Sequence, residues 1–283
     1  MKTLQDLTIK DNFMFSAVMA EEENCRGLLK LVTDIPIGRV EISRERSFAY
    51  HPEYRGVRLD VYAKDENNTR YNVEMQVVPR DALTRRARYY RSQMDMDLLL
   101  AGNEYENLPD TYVIFICDFD PFDAGYFRYT FENRCLENMD RRLGDGCRCI
   151  FLNTCGRNRK DVPEALVKFL RYVRADLTES QQDFQDGFVV QLQKSVRKIK
   201  QSRAMEERFM TLEELLRDER KAGEEKGKSE GMAKSILLLL EDRGTVPESL
   251  LQKILAEKDT EILSRWLRLA AAAESVSQFE NSI

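Results

Sequence analysis

The chain has little histidine and no long apolar run, and both shortages exclude classes of protein. Its one histidine, His51, precedes Pro52 in a predicted surface turn. Ser-His-Asp hydrolases and multi-histidine metal sites are therefore excluded, and carboxylates must carry any acid–base or metal chemistry. The longest apolar run, residues 236–240, is far shorter than the roughly 20 residues of a membrane helix. The N-terminus also lacks the layout of a signal peptide, so we expect a cytoplasmic protein.

Cysteine and glycine patterns exclude two further kinds of site. Six cysteines without a secretory signal are expected to be reduced. Cys147, Cys149 and Cys155 contain no C-x2-C pair, which favours buried thiols over a zinc site. No glycine motif for nucleotide phosphates is present. The net charge of −5 argues against coating nucleic acid by bulk electrostatics, although a local basic patch stays compatible with it.

Hydrophobic periodicity predicts three parts in the chain. Residues 1–175 have the pattern of a mixed α/β domain, with helical spacing at 13–32, 82–101 and 163–173. Gly102 is the expected C-cap of the second of these helices. Strands are predicted at 40–50, 58–64, 70–77, 112–117, 127–131 and 149–152. Residues 176–232 form a charged helical linker whose recurring glycines indicate a solvated helix or a flexible joint, and residues 233–283 predict a small helical domain.

Two alternating segments, residues 58–64 and 70–77, predict a β-hairpin. Both apolar sets can face one core only if Val61 pairs with Val73, or an equivalent pair forms, across a loop of three or five residues. This register places Asp60 opposite Glu74, with Gln76 next on the same face. Opposed Cβ atoms in such a pair lie roughly 4.5–5.5 Å apart.

The opposed carboxylates favour a metal site. Two carboxylates at this distance repel each other unless a cation lies between them. Hard oxygen ligands select Mg²⁺ or Mn²⁺, and Mg²⁺ usually binds one or two carboxylates together with water and substrate phosphate. The alternative is a solvent-facing hairpin whose polar side chains simply lie outside.

The hairpin resembles a known catalytic motif. The sequences RLDVYA (58–63) and YNVEMQ (71–76) resemble the Asp…Glu-x-Gln variant of the PD-(D/E)XK motif, as found in the PD-(D/E)XK nuclease family transposases, or recombination-promoting nucleases. Other blocks within residues 1–175 are similar to this family in the same order, namely TIKDNFMF, RRARYYRSQMD, LPDTYVIFICDFDPF, YTFENRC and IFLNT. The resemblance implies an α/β, restriction-endonuclease-like core, a central mixed sheet flanked by helices, with an all-helical C-terminal extension.

The resemblance also implies a function. Asp60 and Glu74 would bind Mg²⁺ (or Mn²⁺), and Gln76 would be the third catalytic residue, in the position of the superfamily lysine. The expected activity is that of a metal-dependent DNA endonuclease associated with mobile elements or recombination. It would hydrolyse phosphodiesters to a 3′-hydroxyl and a 5′-phosphate. The chain departs from the superfamily motif because a glutamine amide can orient groups only by hydrogen bonds, and because the proline of the motif is absent.

Further residues and alternatives follow from the same blocks. Arg86, Tyr90 and Gln93 have the spacing of one helix face and are candidate substrate contacts; a solvated basic face is the alternative. Asp11, or one of the acidic residues 21–23, is a candidate for a further metal ligand. The second functional hypothesis is a nuclease-fold DNA-binding or interaction protein with weak or no catalysis. RNA as substrate stays open, and a homodimer through the helical C-terminal region is one arrangement for cutting both strands.

Overall fold

The chain divides into two compact units. The structure, a computed structural model, describes residues 2–44, 47–48, 57–99 and 101–283. The units are Met1–Glu206 and Glu207–Ile283. The predicted turn at His51 and part of the strand predicted at 40–50 lie outside the described residues. Within the described ranges no helix is long and apolar enough to cross a membrane.

The first unit contains the strands and the second is helical. The strands are β1 (Val40–Arg44), β2 (Ser47–Phe48), β3 (Val57–Arg58), β4 (Val61–Asp65), β5 (Arg70–Gln76), β6 (Thr111–Cys117), β7 (Arg128–Phe131) and β8 (Cys147–Asn153). The α-helices are α1 (Asn12–Met19), α2 (Glu22–Thr33), α3 (Leu83–Leu98), α4 (Glu164–Arg174), α5 (Gly187–Lys200), α6 (Arg203–Glu241), α7 (Glu248–Ala256), α8 (Thr260–Ala272) and α9 (Val276–Glu280). The boundary between the units falls within α6.

Six strands form one mixed sheet in the order β1-β4-β5-β6-β8-β7. β5, β6 and β8 are parallel, while β1, β4 and β7 join antiparallel. Every residue of β6 is buried, as is typical of a strand covered on both faces. The expected central mixed sheet flanked by helices, followed by a helical extension, is confirmed.

The two faces of the sheet bury different sets of side chains. Val113, Phe115 and Cys117 of β6 pack with buried residues of α3 in one hydrophobic cluster. The alternate residues of β6, from Tyr112 to Ile116, are buried on the other face because successive side chains in a strand point to opposite sides. Helices α1, α2 and α4 each pack against α5. The side chains of Glu74 and Gln76 lie on the face covered by α3.

Several predicted boundaries differ from the structure. The helix predicted at 82–101 ends at Leu98, so Gly102 is not its C-cap; Gly102 instead adopts φ 89° in the turn that follows. Residues 236–240 of the predicted helical domain are the end of α6, which begins within the predicted linker. Helix α5 packs within the first unit although it belongs to the predicted linker. The division of the chain into residues 1–175, 176–232 and 233–283 stays a prediction.

Candidate active site

The β4–β5 hairpin has the register that the apolar pattern predicts. Val61 pairs with Val73, and the ladder continues to Lys64 and Arg70. Residues 65–69 connect these last paired positions. Asp65, the final residue of β4, is buried and accepts hydrogen bonds from the backbone N–H groups of two turn residues and from the hydroxyl of a β5 tyrosine. The turn therefore fixes the register from its closed end.

Asp60 and Glu74 meet at the open end of this hairpin. Regular pairing stops at Val61, and Asp60 occupies a bend directly before β4. The Asp60 N–H donates to Glu74 Oε1 at 3.2 Å, and the Met75 N–H donates to Asp60 Oδ2 at 3.2 Å. The Ser16 hydroxyl of α1 lies 3.4 Å from the carbonyl oxygen of Asp60. Reciprocal bonds to the backbone thus hold the two carboxylates side by side.

The polar face of β5 is buried and does not face solvent. Asn72, Glu74 and Gln76 are only 0 %, 5 % and 6 % exposed. Their neighbours on β6 are Val113, Phe115 and Cys117, which pack beneath α3. A solvated hairpin with polar side chains outside, the alternative interpretation of the sequence, is therefore wrong. Burying three polar side chains costs free energy and requires compensation within the site.

The pKa of Glu74 is raised from its ordinary value of 4.5. Burial is the largest cause, because removal from water disfavours the charged carboxylate, and the neighbouring charge of Asp60 adds to it. The hydrogen bond from Asp60 and the positive charge of Arg86 act in the opposite direction. Without a further cation the pair therefore retains a proton more readily than two solvated carboxylates would.

Gln76 is held by partners on both sides of its amide. Its Nε2 donates to the Val78 carbonyl oxygen at 2.6 Å, and its Oε1 accepts from Arg86 Nη2 at 2.5 Å. The Arg86 guanidinium also lies 5.0 Å from the ring centre of Phe115 and 5.6 Å from that of Tyr90. Aromatic faces attract such a cation. Gln76, which the resemblance would place at the lysine position, is thus linked to a cation from α3.

The other residues predicted on the α3 face occupy different environments. Tyr90 stacks on Phe115 with ring centres 6.2 Å apart, and Gln93 is buried one turn further along the helix. Arg85 and Arg88 are exposed. The structure thus brings Arg86 to Gln76 and Tyr90 to the wall beside it. A substrate contact by Arg86, Tyr90 or Gln93 stays a prediction.

The acidic residues near the start of the chain have partners of their own. Asp11 accepts from the Thr8 N–H at 2.7 Å and pairs with Lys2 at 2.7 Å. Glu21 accepts from the hydroxyl of Ser195 and pairs with Lys198. These bonds attach the ends of α1 and α2 to their surroundings, and a metal-binding role for these carboxylates stays a prediction.

Asn72 is a residue of the site that sequence reasoning missed. It lies two positions before Glu74 on the same face of β5 and is fully buried, and its amide opposes the rise in the pKa of Glu74. The signal was present in the sequence, because the alternation that places Glu74 and Gln76 on one face also places Asn72 there.

The donor set suits a hard cation held by two carboxylates. Across the described ranges, no three His, Cys, Asp or Glu side chains gather as a metal-binding group. All six cysteines are free thiols. Burial raises the pKa of Cys149 to about 12, which keeps this thiol protonated at neutral pH.

Comparison with known proteins identifies the family of this fold and hairpin. A family model described as PD-(D/E)XK nuclease family transposase matches residues 9–230, well over half of the chain. No curated protein and no solved structure matches it. The matched region contains the whole six-stranded sheet and the Asp60–Glu74–Gln76 hairpin. The chain therefore belongs to the PD-(D/E)XK nuclease family transposases.

Proposed function

We propose that this protein is a metal-dependent DNA endonuclease that hydrolyses phosphodiester bonds. The observation that carries the proposal is the Asp60–Glu74 pair, in which reciprocal backbone hydrogen bonds hold a half-buried Asp60 beside a buried Glu74. Two adjacent carboxylates are a costly way to make these structural hydrogen bonds, because their charges repel and the burial of Glu74 costs free energy. The family match supports a nuclease fold around this pair.

The residues present fit a Mg²⁺ or Mn²⁺ ion. Asp60 and Glu74 would hold it, and two carboxylates with water and substrate phosphate are the ligands that Mg²⁺ usually takes. A bound divalent cation would offset both causes that raise the pKa of Glu74. When bound, such an ion lowers the pKa of a coordinated water and screens the charge of the scissile phosphate.

The protein's own residues supply orientation and positive charge. Asp60 and Glu74 are fixed by the backbone of the opposite strand, so little reorganisation is needed. Arg86 places a guanidinium beside Gln76, where it would neutralise charge on the phosphate as lysine does elsewhere in the superfamily. Gln76 then acts as the positioning residue for Arg86. Hydrolysis would leave a 3′-hydroxyl and a 5′-phosphate.

One observation favours the second hypothesis, a DNA-binding protein with weak or no catalysis. Both polar atoms of the Gln76 amide already have protein partners, in Val78 and Arg86. One N–H of this neutral amide is left, and it cannot polarise an attacking water as a lysine ammonium does. On this hypothesis the fold and the basic helix α3 would retain nucleic acid without cleaving it.

The decisive experiment is cleavage of supercoiled plasmid DNA with Mg²⁺ or Mn²⁺ by the wild type and by Asp60→Asn and Glu74→Gln. Glu106→Gln, at an exposed position outside the site, is the matched control. We expect the cleavage rate of both site variants to fall at least about a hundredfold, because the metal ligands act as a unit. The control should cleave at the wild-type rate. Equal cleavage by the site variants would show that the activity belongs elsewhere.

Binding without cleavage separates the two hypotheses. If the wild type shifts duplex DNA in a gel but never nicks the plasmid with either metal, the DNA-binding hypothesis replaces the endonuclease. The same assay with RNA tests the second substrate. A role in recombination and a homodimer through the helical C-terminal region are part of the proposal, and sedimentation with and without DNA tests the dimer.

A further inference from the structure

A cavity of about 660 Å³ opens at the β7–β8 edge of the sheet. Four arginines line it: Arg128, Arg134, Arg142 and Arg148. Its volume falls in the range of roughly 300–1,000 Å³ that small-molecule sites occupy. A cavity with this many guanidinium groups is unexpected in a chain whose net charge is −5.

The cavity is separate from the candidate active site. Tyr112 and Ile150 line it, and these residues alternate with Val113 and Phe151, which belong to the cluster beneath α3. Alternate residues of a strand lie on opposite faces. The sheet therefore stands between this cavity and the buried Glu74, and the function proposed above does not account for its arginines.

The charges that line the cavity do not cancel. Its four guanidinium groups face two carboxylates, Asp34 and Glu132, so an excess of positive charge is left. Arg128 pairs with Asp34 at 2.6 Å. Among the described residues the other three arginines pair with Glu132, at 2.5 Å for Arg134, 3.1 Å for Arg142 and 3.6 Å for Arg148, and the charge of Asp110 also acts on Arg148. Several guanidinium groups around one carboxylate repel one another, and a further anion between them would offset this repulsion.

Glu132 keeps this cluster assembled. The hydrogen bond from Arg134 is the largest cause that lowers the pKa of Glu132, and Arg142 and Arg148 lower it further. The carboxylate is therefore ionised at neutral pH. Arg134 also donates to the Met139 carbonyl oxygen, which commits all of its nitrogens to the protein.

The other arginines have donors left over. Within the described part of the chain, the side chain of Arg142 engages protein only through Nε, and it is 59 % exposed. Arg148 uses Nε for Glu132 and Nη1 for the Tyr112 hydroxyl. Arg128 uses Nη1 for Asp34 and the Val32 carbonyl oxygen. The Nη2 groups of these three arginines are then available to a ligand with several acceptor oxygens.

We infer that this cavity binds an anion that carries phosphate groups. The fork of guanidinium donors matches phosphate oxygens and forms two parallel hydrogen bonds with them. The phosphate could belong to a free phosphorylated compound or to the backbone of a nucleic acid strand. Both sources present the same chemistry to Arg128, Arg142 and Arg148.

Calorimetric titration of the full-length protein tests the inference. The probes are inorganic pyrophosphate and a short 5′-phosphorylated single-stranded DNA, and the variants are Arg142→Gln and, as a charge-matched control on α6, Arg220→Gln. Arg142 is the variant of choice because its exposure makes a folding defect unexpected. We expect Arg142→Gln to weaken binding of the probe by roughly tenfold or more, because a charge-assisted hydrogen bond is lost, and Arg220→Gln to leave it unchanged.

Each outcome decides the inference. Binding of pyrophosphate that depends on Arg142 supports the cavity with a free phosphorylated ligand. Arg142-dependent binding of the DNA probe alone supports it with a nucleic acid phosphate. If the wild type binds neither probe, or if Arg142→Gln binds them as tightly as the wild type does, the inference is overturned. The arginines would then only stabilise the β7–β8 edge. These measurements contain no divalent metal, so a failure of the proposed nuclease activity would not affect them.

Discussion

At the scale of single residues, the free energy of the site depends on how Glu74 is ionised. A glutamate whose pKa is raised in the folded chain binds its proton more tightly there than in the unfolded chain. The stabilisation from that proton is complete below the unfolded value of 4.5 and is lost as the pH rises through the raised folded value. The metal-free protein should therefore lose stability between acidic and neutral pH.

Glu74→Gln should remove this pH dependence. The amide cannot ionise, so we expect the variant to exceed the wild type by roughly 1–3 kcal/mol in free energy of unfolding at neutral pH without metal. At acidic pH the two should be alike. Urea unfolding across the pH range measures the difference. Mg²⁺ should stabilise only the wild type; an equal effect on both would mean that the ion binds elsewhere.

Gln76→Lys tests whether Arg86 already supplies the cation of the site. The new ammonium would lie beside the guanidinium in a buried position, so we expect a loss of about 2–4 kcal/mol in free energy of unfolding. The double variant Gln76→Lys/Arg86→Gln should recover most of that loss in free energy. It should also cleave DNA faster than the single variant Arg86→Gln. A double-mutant cycle of urea unfolding and plasmid cleavage measures both. Additive effects would show that the two positions act independently.

At the scale of elements, the sequence predicted the hairpin better than its surroundings. The apolar alternation was sufficient for the pairing of Val61 with Val73, since any shift by one residue moves the apolar set of one strand to the opposite face of the sheet. The burial of Asn72 and Gln76 was not predictable in this way. It depends on β5 lying next to β6 and beneath α3, and local periodicity carries no information on which elements become neighbours.

Helix α6 shows the same difference. The glycines at every fourth position left a solvated helix and a flexible joint equally open, because glycine lowers helix propensity without excluding a helix. In the structure Gly223, Gly227 and Gly231 are exposed within the continuous helix Arg203–Glu241, and added Cβ atoms would meet nothing within 4 Å.

Replacing these three glycines with alanine should stabilise α6. Each substitution should contribute about 0.5–1 kcal/mol to helix stability, because alanine loses less backbone entropy and fits without a clash. Circular dichroism on heating the triple variant measures the gain. Gly27→Ala in α2 is the contrasting substitution, since its Cβ would lie 2.5 Å from the Phe188 ring and should destabilise the protein. No gain in the triple variant would contradict a continuous helix.

At the scale of the whole molecule, each unit has a hydrophobic core of its own. In the second unit Ile236, Ile254, Leu263 and Phe279 are buried with Trp266 in one cluster. In the first unit the core is built around the sheet. We therefore expect two unfolding transitions, because the residues that share one core unfold together and each unit has its own core.

The single tryptophan makes this prediction measurable. Trp266 fluorescence should follow the second unit alone, whereas far-ultraviolet circular dichroism follows helices and strands of both. If Asp60 and Glu74 hold Mg²⁺ as proposed, the ion should raise only the stability of the first unit, by about 2.7 kcal/mol at a hundredfold excess over its Kd. The circular-dichroism transition should then move in urea while the fluorescence transition stays. A Mg²⁺-induced shift of both transitions by the same amount would mean that the chain unfolds as one cooperative body, despite its two cores.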